Sequence, residues 1–302
     1  MRAITRAVAV LAGLGLSTAP AADDEKDPVV NGKPVSEWVK ALRTADSPDD
    51  RSAAAFALAR GKGKAASAVP AMAAALKDRN RTVRANVATA LGLMGPHAKE
   101  AVPALAAALK DADPAAASAA AMALGGIGAE AKVAVSALAE IVKDPARAGE
   151  LRRAAAYGLG GIGPDAKAAA PVLTAALKDA DRRLRAKAAV ALVGLDKENA
   201  KEAVPVLRAG LKDRDELVRT EAAVGLRSLG PAAKDAVPDL IAALKAGGLV
   251  TRSAGQALGR IGPDAAAALV EAAKGPDEEL RKAAAAVLKE HYPEEAKKAG
   301  IP

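Results

Sequence analysis

One segment of about 33 residues is written repeatedly along this chain, and a fixed period of that length leaves few folds open. Residues 69–101 read VPAMAAALKDRNRTVRANVATALGLMGPHAKEA, and residues 102–134 read VPALAAALKDADPAAASAAAMALGGIGAEAKVA. The apolar residue ahead of the recurring Lys falls at Leu76, Leu109, Val142, Leu177, Leu211 and Leu244, in steps of 33, 33, 35, 34 and 33. Periods of about 20–50 residues mark stacked supersecondary units, none able to bury its apolar face alone. The 302 residues therefore predict one continuous array rather than two globular domains, because such a core grows unit by unit.

Each unit carries the marks of a helical hairpin. Val102, Leu105, Ala108 and Leu109 follow the helical period, and Pro103 opens that short first helix where a missing N–H costs nothing. Asp111-Ala112-Asp113-Pro114 then closes one helix and opens the next, with Asp113 as N-cap. In the second helix a Leu recurs at Leu58, Leu91, Leu124, Leu159, Leu192, Leu226, Leu258 and Leu288. Around it Val83, Val87, Ala90, Leu91 and Met94 form one core-facing stripe. Gly95-Pro96, Gly163-Pro164, Gly230-Pro231 and Gly262-Pro263 are stop signals. With 51% hydrophobic residues but 1% aromatics, the core is small-residue aliphatic, which lets helices approach closely.

The turn Asp, the Leu-Arg that follows, the Ala-rich segment ending in Leu and the Gly-Ile-Gly-Pro stop occur together from Leu151-Arg152 to Gly163-Pro164. This pattern resembles the HEAT repeat, in particular the short HEAT-like repeats of phycobilin lyases, over about eight units from Val35 to His291. The resemblance implies an all-α, right-handed α-solenoid, an armadillo-type superhelix whose second helices line the concave side. It also implies that the Arg seven before the Leu (Arg51, Arg84, Arg152, Arg185, Arg219, Arg281, with Ala117 breaking the column) pairs with a turn Asp of its own or an adjacent unit. Asp78, Asp111, Asp144, Asp179 and Asp213 supply the carboxylates. The expected organisation is a signal peptide at 1–21, a flexible linker at 22–34, the solenoid at 35–292 and a polar tail at 293–302. Trp38, the only Trp, falls in the first-helix Leu column and is expected to close the N-terminal end of the core.

Arg2 and Arg6, an apolar run from Ala7 to Leu16 and the small residues Ala19 and Ala21 read as a secretory signal cleaved after Ala21 or Ala22. No other segment reads as long and apolar enough to cross a membrane, so the reading is a secreted or periplasmic protein with no span after cleavage. The absence of Cys excludes disulfides and a lipidated Cys, which leaves packing alone to hold an exported chain.

Surface residues that vary between units carry what information there is about a partner. Two before the Leu stand Phe56, Met122 and Tyr157, and six before it stands Arg153, one turn from Tyr157. Aromatic and Arg side chains dominate binding energy at interfaces. Arg227 and Arg260, in the last turns of their second helices, complete the candidate partner-binding set.

Catalytic chemistry finds little to use. The two His, His97 and His291, stand apart, no paired His-Glu motif of the kind carried by a HEAT-repeat di-iron hydroxylase occurs, and no metal or cofactor is expected. Gly125-Gly126-Ile127-Gly128 lacks the strand and the Lys-Ser/Thr of a phosphate loop and sits at a helix stop. The expectation is a non-enzymatic, monomeric scaffold of the cell envelope that binds a protein or peptide. A bilin-type lyase or isomerase subunit is the alternative that the resemblance supplies. A nucleic-acid-binding protein is the alternative that the Arg column and the +8 net charge supply. That charge is mild for the length, and export disfavours nucleic acid. Mass spectrometry of the exported protein is expected to find an N-terminus at Ala22 or Asp23; a chain retaining Met1 would contradict the export reading.

Overall fold

The computed structural model describes residues 27–301, so the expected signal peptide lies outside the described residues. Eight antiparallel helical hairpins follow one another: α1 (Val35–Thr44) with α2 (Pro48–Gly61), α3 (Val69–Ala75) with α4 (Arg81–Met94), α5 (Val102–Ala108) with α6 (Pro114–Ile127), and α7 (Val135–Lys143) with α8 (Gly149–Ile162). The array continues with α9 (Ala170–Ala176) and α10 (Arg182–Leu195), α11 (Ala200–Gly210) and α12 (Glu216–Leu229), α13 (Val237–Ala243) and α14 (Gly248–Ile261), and α15 (Pro263–Lys274) and α16 (Glu278–His291), closed by α17 (Pro293–Lys298). This is the all-α solenoid the repeat predicts, with one apolar core running its whole length.

The local signals act as their chemistry requires. Side-chain oxygens of Ser47, Asn80, Asp113 and Asp181 accept from amides of the first turn of their helices. Gly128 and Gly163 end α6 and α8 at φ 80° and 76°, a region that favours Gly. The stops do not lead straight into the next hairpin. They enter 3-10 turns such as Gly95–Ala101, whose Ala98 and Ala101 are fully buried and widen the core between units.

Packing is asymmetric. From α2 to α14 successive second helices contact one another along their lengths, while successive first helices meet far less. The row is thus shorter on the second-helix side, which makes that side concave. Glycine permits the approach: a Cβ on Gly126 would lie 2.7 Å from the Gly92 carbonyl oxygen, and one on Gly125 would lie 2.8 Å from the Gly158 Cα. Only the last glycine of Gly125-Gly126-Ile127-Gly128 is a stop; the first two are contact residues inside α6.

An Arg ladder ties the units together. Arg51 makes a bidentate pair with Asp78 at 2.8 and 2.9 Å, and Arg84 makes one with Asp111 at 2.6 and 2.8 Å, each 27 residues on. The third guanidinium nitrogen donates to carbonyls that close the first helix of its own unit, Ala45 and Asp46 for Arg51 and Asp78 for Arg84. Arg152 repeats the pattern with Asp179 at 2.7 Å and the Val142 carbonyl at 2.8 Å. The ladder breaks at Ala117, which leaves Asp144 to Arg147 of its own turn. It breaks again at Arg219, because Ala246 stands where the carboxylate would be, and the buried Arg219 Nε has no partner. Arg185 reaches only its own unit's carbonyls, and Arg182 meets Asp213 instead.

Four expectations need correction. Residues 29–34, expected within a flexible linker, form a hairpin of β1 (Val29–Val30) and β2 (Lys33–Pro34) with Val30 buried. Trp38 clamps that hairpin through a 2.8 Å bond from Nε1 to the Val30 carbonyl, and it is half-buried rather than enclosed in the core. At the other end, Ala296 of α17 is buried, and the Tyr292 hydroxyl donates to the Leu258 carbonyl at 2.6 Å, so part of the expected polar tail is packed. Finally, the stretch 114–143 is long and apolar enough to cross a membrane, with a mean hydropathy of 1.3. It is α6 and α7 folded back at Gly128, half buried in the array.

Gly126→Ala should lower stability by about 1–3 kcal/mol through overpacking, even though Ala favours helix, and denaturant unfolding reads the sign. A stability gain would contradict the contact. The ladder also predicts an acid dependence. Arg84 beside Asp111 and Arg152 beside Asp179 hold those carboxyls below the usual carboxylate range. At Asp78 burial pulls the other way, and the bonds from Arg51 and the Asn80 amide outweigh it. Their folded-state pKa values lie below the unfolded value of about 3.9, so the stabilisation is complete above that pH and is lost as pH falls through the folded values. Melting temperature should therefore decline below about pH 4, and Asp111→Asn should flatten that decline; an unflattened profile would contradict the assignment.

Candidate functional site

Four second helices leave a groove of about 360 Å³ on the concave side. Its floor is small where α8 and α10 present Ala154 and Ala186, and that is why the surface dips there. Three apolar side chains stand around it with unusual exposure, Met122 on α6 at 46%, Tyr157 on α8 at 48% and Leu217 on α12 at 56%. In a chain with 1% aromatics, an exposed Tyr beside an exposed Met and Leu marks a surface that folding has left unpaired.

The charges at the groove are mostly neutralised by the neighbouring helix. Arg153 meets Asp181 at 2.6 Å, Arg183 meets Asp215 at 2.6 Å, and Lys187 meets Glu221 at 2.5 Å. Arg183 holds Asp215 below the usual carboxylate range. Lys187 also lies 5.4 Å from the centre of the Tyr157 ring, within reach of a cation–π contact. At the base, the buried Ser118 hydroxyl has no hydrogen-bond partner. The arrangement is an apolar trough with ion-paired walls.

The structure brings Met122, Arg153 and Tyr157 together at this groove and sets the other three candidates elsewhere. Phe56 is half-buried against the core, a space-filling position rather than an exposed one. Arg227 and Arg260 belong to α12 and α14, where Arg227 donates to Gln256 at 2.5 Å. Leu217, Lys187 and Glu221 were missed. Leu217 did carry a signal: nine before the repeat Leu, where Glu150 and Arg183 stand in the two preceding units, it is apolar in a first turn that faces solvent. Among the described residues no group of His, Asp or Glu could hold a metal ion.

The family profile for HEAT repeats matches residues 35–109, 135–227 and 171–259. The chain belongs to the HEAT-repeat family. No curated protein matches it in sequence. Among solved structures, it is similar to the karyopherin Kap121p bound to the SUMO protease Ulp1p, at 16% identity and a TM-score of 0.56, covering 88% of this chain and 34% of that one. The chain thus spans about a third of that karyopherin, and the likeness is one of fold. Human deoxyhypusine hydroxylase in complex with glycerol is 24% identical, covering 86% of this chain and 96% of that one, with a TM-score of 0.37. The CpcE and CpcF complex of phycocyanin lyase from Nostoc sp. PCC7120 is 27% identical, covering 53% and 98%, with a TM-score of 0.41. At those scores neither likeness bears on activity.

Proposed function

We propose that this protein is an interaction scaffold of the cell envelope that binds a protein or peptide segment in the concave groove around Met122, Tyr157 and Leu217. The observation that carries the reading is the exposure of these three side chains around one trough. Burying such anchors in a desolvated pocket is where interface energy concentrates. The envelope location rests on the pattern of residues 1–22, basic, then apolar, then small. Kap121p is a solenoid of similar fold seen with a protein bound, which agrees with this use of the architecture.

The test is capture from an envelope fraction by the full chain and by a Tyr157→Ser/Leu217→Ser variant. Both side chains are half-exposed, so folding should be unaffected. Capture of a specific partner should fall at least about tenfold. The control Val133→Ser, on an exposed residue of a 3-10 turn, should change nothing. Undiminished capture by the groove variant would overturn the proposed surface.

A further inference from the structure

We propose that the partner segment is acidic at one end, with apolar side chains in the groove and carboxylates on a guanidinium cluster at the α12–α14 side. This rests on the groove reading above and names the chemistry of its occupant. Arg252, Gln256 and Arg260 follow one another at steps of four on α14 and so share one helix face. Arg227 reaches across from α12 and donates to Gln256 Oε1 at 2.5 Å, which plants a third guanidinium at the middle of that row.

Among the described residues none of these three Arg is in an ion pair, whereas each cation at the groove is: Arg153 with Asp181, Arg183 with Asp215 and Lys187 with Glu221. Arg252 and Arg260 are exposed and Arg227 is half-buried. Three guanidiniums without an ion-pair partner on adjacent helices leave that face positive, and an anion placed there would neutralise it. Guanidinium forks match carboxylates bidentately.

The opposite end of the groove has the opposite preference. Glu150 of α8 lies at its lip without an ion-pair partner among the described residues, so it disfavours an acid there. The occupant is therefore polarised, apolar towards α6 and α8 and acidic towards α14. From α6 to α14 there are four helix spacings of about 8–10 Å, a span that about 10–12 residues of extended peptide would cover. A phosphodiester could satisfy the guanidiniums, but a duplex would have no use for the apolar trough and would meet Glu150. The observations favour the peptide.

The probe is a fluorescein-labelled 12-residue peptide of Leu and Ala ending in four Glu, compared with the same peptide ending in four Lys and with a random DNA duplex. Each is titrated into the full chain and followed by anisotropy. The acidic peptide should bind at least about tenfold tighter than the basic one, with the difference shrinking as salt rises. Arg252→Glu/Arg260→Glu should weaken the acidic peptide at least about tenfold without lowering the melting temperature, because neither side chain holds a partner in the fold. Tyr157→Ser/Leu217→Ser should weaken both peptides. Equal binding of the two peptides, lost only in the groove variant, would overturn the acidic assignment while leaving the groove as a binding surface. Binding of neither peptide, or binding that both variants leave intact, would overturn the two readings together. Tighter binding of the duplex than of the acidic peptide would replace the acidic partner with a nucleic acid.

Discussion

The guanidinium that faces two ways is the contact on which the array depends. Arg84 closes the first helix of its own hairpin through the Asp78 carbonyl and grips the next hairpin through Asp111, so one side chain sets the geometry within a unit and between units. Asp111 is used twice as well. Both its oxygens accept from Arg84, and Oδ1 also takes the Asp113 amide at 2.8 Å, which shapes the turn where Asp113 caps α6. Where the rung forms, before α4, α6 and α10, the start of the second helix is thereby tied to the Arg of the preceding unit. These pairs are largely buried, so the desolvation of both charges offsets much of their attraction, and their value lies in register.

Register has consequences because the second helices touch through backbone. Gly92, Gly125 and Gly158 place successive helices so near that a single added methyl group would meet a carbonyl or a Cα. Aliphatic cores of this kind have no large aromatic side chains to absorb a misalignment. The close approach shortens the concave side, and the concave side then exposes whatever the second helices carry two, five, six and nine residues before the repeat Leu. Where those positions are Ala or Gly the face is flat. Where they are Met122, Tyr157 and Leu217, with Ala154 and Ala186 between, it becomes a groove. The groove begins on α6, whose contact with α8 carries no Arg–Asp rung because residue 117 is Ala.

Much of this was legible in the residues. The period, the caps, the core stripe and the eight hairpins follow from patterns that depend only on neighbours in sequence. The direction of the ladder was half-legible: Arg and Asp columns announce pairing, but only the stacking of units decides that the partner lies 27 residues on. Gly125 and Gly126 look in sequence like part of the stop at Gly128, because a contact with another helix leaves no local mark. The same holds for the site. Met122, Arg153 and Tyr157 stand out by type, whereas Lys187 and Glu221 look like ordinary surface ions until the fold brings them against one another and over the Tyr ring. Phe56 shows the converse, an aromatic of the right column that packing has turned inward.

The account's central claim is that the Arg–Asp rung couples one unit to the next. A double-mutant cycle on Arg84 and Asp111, read by denaturant unfolding, measures it directly. The account predicts a coupling energy of about 1–3 kcal/mol for Arg84→Ala with Asp111→Ala, the loss in either single variant leaving little for the second to remove. Additive effects within about 0.5 kcal/mol would show that the rung is incidental and that glycine-mediated packing alone sets the register.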